Sequence, residues 1–466
     1  MPLVQIGVEQ STELRRESRG VPPAARHGSS AVVAAIFPVG VAAILGIVYV
    51  ARLAGSGVAM TESTGAAMVI VVTAGLAATA GHNGLVLFCV GLSVTIGTMR
   101  IGGVPQSMLV ILAIAAGALV RSLGKRMVIE VYWPLLGVTC LVGAYSAASP
   151  PSTTAGIVAA YGLVILPCGL VVLRMGLAAG RAARNEMVWL AMGAAFSIGA
   201  GLVDAFGAVT SDYASYAHVR VFESAIGSSN YAAALAAIPG LLLLALGVRP
   251  PRRSPLLIIL SVPFMVAPVL LASRGAIVAM VCGVFVLTLR PDASRNAARV
   301  ARTGTALVAA LVVVAVAARQ GWYVWQRFDV EAMGGNYLSG RSRLWEYAAE
   351  QVWSHPIEGL GPGHLADALM ASFGMAYAHQ FYLGALAQLG LVLGVAYLWV
   401  IRPTPIRGWS PAVPAVVAIA VNSAIEPVLS TPGGAMVFVG LGAAHWAYRR
   451  RPAQEGVAEP GSVRDG

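Results

Sequence analysis

Fourteen stretches of mostly apolar residues, near 31–51, 65–81, 84–99, 105–120, 130–147, 154–173, 187–207, 230–248, 254–272, 274–290, 303–318, 380–401, 411–426 and 432–448, leave this chain little that can face water. A helix needs about 20 such residues to cross the hydrocarbon of a bilayer, so each stretch reads as a span, several of them short. Composition excludes a soluble globule: the chain is 58% hydrophobic and 11% charged, where roughly a quarter of a soluble domain is charged. The expected fold is all-α, a polytopic integral membrane bundle of about 12 to 14 transmembrane helices. Cys89, Cys140, Cys168 and Cys282 all fall inside apolar runs, where a thiol is a small hydrophobe, and they form neither a disulfide framework nor a metal spacing.

A net charge of +11 could suggest nucleic acid, but the placement of the arginines gives it a topological meaning, and no nucleic-acid partner is expected. With the N-terminus in the cytoplasm, most basic residues fall in alternate connections: Arg15 to Arg26, Arg121 to Arg126, Arg174 to Arg184, Arg249 to Arg253, Arg290 to Arg302, Arg402 with Arg407, and Arg449 to Arg464. The opposite connections hold Arg52, Arg100, Arg220, Arg274, Arg319, Arg327, Arg341 and Arg343. The expected division is a disordered cytoplasmic tail at 1–30, a transmembrane bundle at 31–318, a large external loop at 319–379, further transmembrane helices at 380–448 and a disordered tail at 449–466. The first apolar run lacks a clear small-residue cleavage site, so it reads as a retained helix.

The external loop concentrates the polar chemistry. From Leu344 to Val352 the apolar positions have helical spacing, which predicts a short helix at the membrane surface. Trp322, Trp325, Trp345 and Trp353 suit interfacial anchoring, with glycan stacking as the other reading. Arg274 sits where two spans meet with almost no connection, a costly place for a charge unless it is paired or wetted. Arg341 and Arg343 flank Ser342 before the loop helix. Guanidiniums grip phosphate oxygens bidentately, so with Arg274 they could clamp a diphosphate; taken singly, they could be solvated charges.

His379 opens the span after the loop, and an imidazole, which ordinarily titrates near 6.5, suits a base that takes a proton from a sugar hydroxyl. A helix cap or an interfacial group is its plain alternative. His355 and His364 share the loop, but their spacing matches no metal motif and no acidic pair accompanies them, so neither a metal nor another cofactor is expected. Asn230 could cap the span that follows it. Glu426 and Asp204, near external helix ends, could pair with the arginines or orient His379, or be ordinary interfacial charges.

Five short pieces occur in order: Ser229-Asn230-Tyr231-Ala232; Ala272-Ser273-Arg274-Gly275-Ala276; Ser339-Gly340-Arg341 followed by Leu344-Trp345; His355-Pro356-Ile357-Glu358-Gly359-Leu360-Gly361-Pro362-Gly363; and Ala378-His379-Gln380-Phe381-Tyr382-Leu383 running into Gln388-Leu389-Gly390. Together they resemble the O-antigen ligase and polymerase superfamily, over roughly residues 225 to 400. Gln380 stands where that family commonly has Asn.

The resemblance implies a bacterial inner-membrane glycosyltransferase that works on the periplasmic face. It implies an undecaprenyl-diphosphate-linked glycan as donor, a glycan or lipid-core hydroxyl as acceptor, and the bilayer as a partner. It further implies an inverting, metal-independent transfer, with His379 as general base, Arg274, Arg341 and Arg343 on the diphosphate, and Asn230 and Gln380 in support; Glu426 joins the supporting set from its position at an external helix end. A repeat-unit polymerase of the same superfamily shares this donor chemistry. A flippase for lipid-linked glycans would carry charges deep inside several spans, whereas these cluster at one face. A non-catalytic envelope component would not need His379. Polytopic glycosyltransferases with an acidic metal motif in the first external loop fit poorly, since only Glu62 lies between the first two spans.

Overall fold

The computed structural model describes residues 60–96, 100–101, 104–122, 133–179, 186–211, 223–224, 227–249, 254–271, 273–289, 341–402 and 409–455. The expected spans at 31–51 and 303–318, the tail at 1–30, and loop residues 319–340 with Trp322 and Trp325 lie outside them, and so do the side chains of Glu62 and Asp204.

Every other expected span is a helix. In order these are α1 (Met60–Ala80), α2 (Asn83–Ile96), α3 (Gln106–Ser122), α4 (Trp133–Ala148), α5 (Thr154–Ala179), α6 (Glu186–Ser211), α7 (Ser229–Gly247), α8 (Pro255–Leu270) and α9 (Arg274–Thr288). The loop contributes α10 (Arg341–Ser354) and α11 (His364–Phe373); α12 (Phe381–Ile401), α13 (Val413–Ser423) and α14 (Pro432–Glu455) complete the series. Two-residue antiparallel ladders, Arg100–Ile101 with Val104–Pro105 and Glu223–Ser224 with Gly227–Ser228, close two of the connections.

Four described helices are long and apolar enough to cross a membrane, α5, α6, α7 and α12, while α3, α4, α8, α9 and α13 are shorter apolar helices. Large apolar side chains such as Leu76, Leu119, Ile259, Phe285 and Val392 point outward, exposed. On a soluble protein such a girdle would aggregate; around a membrane bundle it meets lipid. Polar contacts join the helix ends. Asn83 donates to the Leu177 carbonyl (3.0 Å) and to Glu186 (3.3 Å), joining α2, α5 and α6 at one end. At the other, the Tyr231 hydroxyl meets Thr431 and accepts from the Gly434 N–H (3.0 Å). Several helices outrun the expected bounds: α1 begins at Met60, α5 runs to Ala179, α6 to Ser211, and α14 continues beyond Arg451 to Glu455.

The expected span 380–401 is not one straight helix. Gly390, at φ 71° and ψ 174°, breaks α12, in a region of backbone space open essentially to glycine alone. A break at membrane depth exposes main-chain groups that lipid cannot satisfy, so something polar must cover them. The loop does so. Leu360 and Gly361 donate their N–H groups to the carbonyls of Ala387 and Gln388 (both 2.9 Å), and the Leu391 N–H donates to the Pro356 carbonyl (2.7 Å). The approach is so close that a Cβ on Gly390 would lie 2.2 Å from the Ile357 carbonyl oxygen, and one on Gly359 2.4 Å from the Gly390 nitrogen.

Gly390→Ala is therefore expected to destabilise the protein by about 2 kcal/mol or more, from backbone strain alone. Thermal unfolding in detergent measures it, with Gly143→Ala as the control, since a Cβ there meets nothing within 4 Å. Equal melting of the two variants would mean that the loop does not seat in the break.

The rest of the loop is fastened just as firmly. Leu344, Ala348 and Val352 of α10 pack with Leu365, Leu369, Ala378 and Ala387. Asp367 of α11 accepts from the N–H groups and hydroxyls of both Ser152 and Thr153, capping the start of α5. Burial alone would raise the Asp367 pKa; the hydrogen bonds from Thr153 and Ser152 outweigh it and hold the carboxyl below its ordinary value. His364 bonds the Ser149 hydroxyl (2.9 Å), and Tyr145 donates to the Glu358 carbonyl (2.9 Å).

Candidate active site

The loop's fastening fixes the two residues that bound its described part. Arg341 is the first residue of α10, and His379 lies two residues before α12. Both reach one carboxylate. Arg341 Nη2 donates to Glu426 Oε1 (2.5 Å) and its Nη1 to the Ile425 carbonyl (3.2 Å), while Glu426 Oε2 stands 3.1 Å from His379 Nδ1. Glu426 itself sits in the turn between α13 and the 3₁₀ turn Val428–Ser430, its side chain 7% exposed.

A carboxylate only accepts, so His379 Nδ1 carries the proton and donates it to Glu426. In the neutral imidazole so oriented, Nε2 is the nitrogen with the lone pair, the arrangement a general base requires. His379 is also the one described non-glycine residue with positive φ (55°). Such a conformation costs a side-chain-bearing residue energy, and strain of this kind gathers at functional sites. Burial would by itself raise the Glu426 pKa, but the hydrogen bond from His379 and the Arg341 charge reverse the effect and hold it below the ordinary carboxylate value.

Arg274 joins them from a third element. It is the first residue of α9, whose N-cap Ser273 accepts from the Ala276 N–H. The start of α9 abuts the Glu426 turn: a Cβ on Gly275 would lie 3.3 Å from Ile425 Cγ2. The Arg274 guanidinium is near enough to that of Arg341 for the two to repel. One guanidinium and one imidazole thus share the Glu426 carboxylate, with the Arg274 guanidinium close to that of Arg341; guanidiniums so placed suit an anion.

The other expected site residues fall elsewhere or act differently. Arg343 is exposed; two residues on from Arg341, it projects from nearly the opposite side of α10. Gln380 is the N-cap of α12, its side-chain oxygen accepting from the Leu383 N–H, so that oxygen is committed to the helix. Asn230 is half-buried inside the first turn of α7, which begins one residue before it at Ser229, so it does not occupy the cap position expected of it. Among the described residues no group of three or more His, Cys, Asp or Glu side chains is placed to hold a metal. A small cleft beside the cluster is walled by Tyr377, Ala378, Gln380, Gly384, Leu365 and Pro427.

Two features escaped the sequence reading. The break at Gly390 was hidden because an apolar run reads as one helix unless something marks its interruption. Asn422, a lone buried amide at the end of α13, carries a signal that was available: a polar side chain within a hydrophobic span is costly, hence functional by default.

Residues 255–398 match a family model described as O-Antigen ligase. That segment runs from α8 through most of α12, and so contains Arg274, Arg341 and His379. Among curated proteins, none matches the chain.

Proposed function

From membership of the O-antigen ligase and polymerase superfamily, which that match supports, we propose that this multi-pass membrane protein is a glycosyltransferase that moves a glycan from undecaprenyl diphosphate to an acceptor hydroxyl. The observation that carries the reading is the shared carboxylate: Glu426 holds Arg341 on one oxygen and His379 on the other, with Arg274 alongside. The positive end of the site binds the diphosphate and the imidazole faces the acceptor.

In the transfer, the acceptor oxygen bonds to the anomeric carbon while the bond from that carbon to the diphosphate breaks. The electron pair leaves with the diphosphate, and the acceptor proton passes to His379 Nε2. Attack opposite the leaving group inverts the anomeric centre. Charge grows on the diphosphate as the bond stretches, so Arg274 and Arg341 stabilise the transition state more than the ground state. A diphosphate is already a good leaving group and asks for no general acid. The reaction as written uses no metal and no other cofactor.

The charge bias supports a non-cytoplasmic position for this end of the bundle, and the proposed family role makes that the periplasmic face of a bacterial inner membrane. The expected result with purified protein, lipid-diphosphate glycan and a lipid-core acceptor is glycan on the core, undiminished by EDTA. Lengthened lipid-linked chains instead would identify a repeat-unit polymerase using the same donor chemistry. Absence of both products, or inhibition by EDTA that zinc or magnesium reverses, would overturn the proposal.

A further inference from the structure

Asn422 lies one turn before Glu426, whose N–H donates to the Asn422 carbonyl (2.7 Å). Its side chain is buried, the residue being 2% exposed, and among the described residues neither its Oδ1 nor its Nδ2 has a hydrogen-bond partner. Proteins seldom leave a buried amide unsatisfied on both atoms, because desolvation is then uncompensated. At the end of an apolar helix the cost is greater, and a leucine would be the ordinary choice there.

The amide has a definite neighbour. Nδ2 lies 3.7 Å from the position that a Cβ on Gly275 would occupy, and Gly275 is the second residue of α9, next to Arg274. The first turn of a 15-residue helix presents N–H groups and the positive end of its dipole to an anion. The absence of a side chain at Gly275 leaves that turn open to Asn422.

We propose that Asn422 is a further contact for the donor's diphosphate, its Nδ2 donating to a phosphate oxygen at the start of α9 beside Arg274. This rests on the reading of the site as a lipid-diphosphate glycosyltransferase. The Asn422 amide is then held in reserve without a protein partner, and the bound anion supplies one.

The test uses the full chain in detergent, with inorganic pyrophosphate as probe. Wild type, Asn422→Leu, Asn422→Ser and Arg274→Ala are compared by thermal shift against pyrophosphate, then by KM and kcat for the lipid-linked donor. Asn422→Leu keeps the volume and removes the unsatisfied amide, so it is expected to melt no lower than wild type. Its pyrophosphate affinity is expected to fall about tenfold and its donor KM to rise about as much, the loss of one hydrogen bond to a charged group, with kcat changed less. Asn422→Ser, should the leucine variant not fold, is expected to show the same loss of affinity.

Wild-type pyrophosphate affinity in the Asn422 variants, with the shift lost in Arg274→Ala, would overturn this inference alone. A wild-type protein that pyrophosphate does not stabilise would overturn the diphosphate clamp and this inference with it.

Discussion

His379→Ala is expected to lower glycan transfer by about 10²–10⁴-fold, the range for loss of a positioned general base. The variant should still insert and still bind donor, because the groups proposed for the diphosphate are untouched. Glu426 keeps its ion pair with Arg341 and its backbone bond to the Asn422 carbonyl, so the turn that carries it stays in place. The loss should therefore fall on kcat and leave the donor KM nearly unchanged. Added imidazole, small enough to enter the space left behind, should restore part of the rate. Purified His379→Ala that transfers glycan at the wild-type rate would remove the general-base role.

Glu426→Gln is expected to harm both rate and stability. The amide is close in shape but neutral, so Arg341 and Arg274 lose the charge that offsets their repulsion. Breaking a largely buried pair of this kind costs about 3 kcal/mol. The amide can also present its N–H₂ to His379 Nδ1, which favours the tautomer with the proton on Nε2, the wrong nitrogen for a base.

The pH dependence has a definite sign. The folded-state pKa of Glu426 is depressed, so its contribution to stability is complete above the ordinary carboxylate pKa of about 4.3 and is lost as pH falls through the folded value. The wild-type melting temperature should therefore decline on acidification below that range, and Glu426→Gln, already lacking the charge, should decline less. Identical acid profiles for the two proteins would contradict the buried ion pair.

Much of the fold was legible from the spacing of apolar runs alone, since lipid leaves a helical span almost no freedom in length or polarity. The expected runs at 230–248, 254–272 and 274–290 became α7, α8 and α9 with their ends shifted by one or two residues. Arg274 and Arg341 could be singled out because an arginine at the outer end of a span opposes the prevailing bias, and His379 because an imidazole at the close of the polar loop suits a base. Glu426 could be named but not placed, as any helix-end carboxylate reads alike until its neighbours are known. For Gln380 and Arg343 position was legible but direction was not: a capping geometry commits the Gln380 side-chain oxygen to α12, and helix rotation sends Arg343 to a different side of α10 from Arg341.

The interruption at Gly390 bears on how this protein could be rebuilt. Because the Pro356–Gly361 strip supplies the missing partners of a broken span, neither segment is complete without the other. A chimaera that imports only a relative's loop would strand carbonyls in hydrocarbon. The exchangeable unit is the block from His355 through Leu391, moved whole.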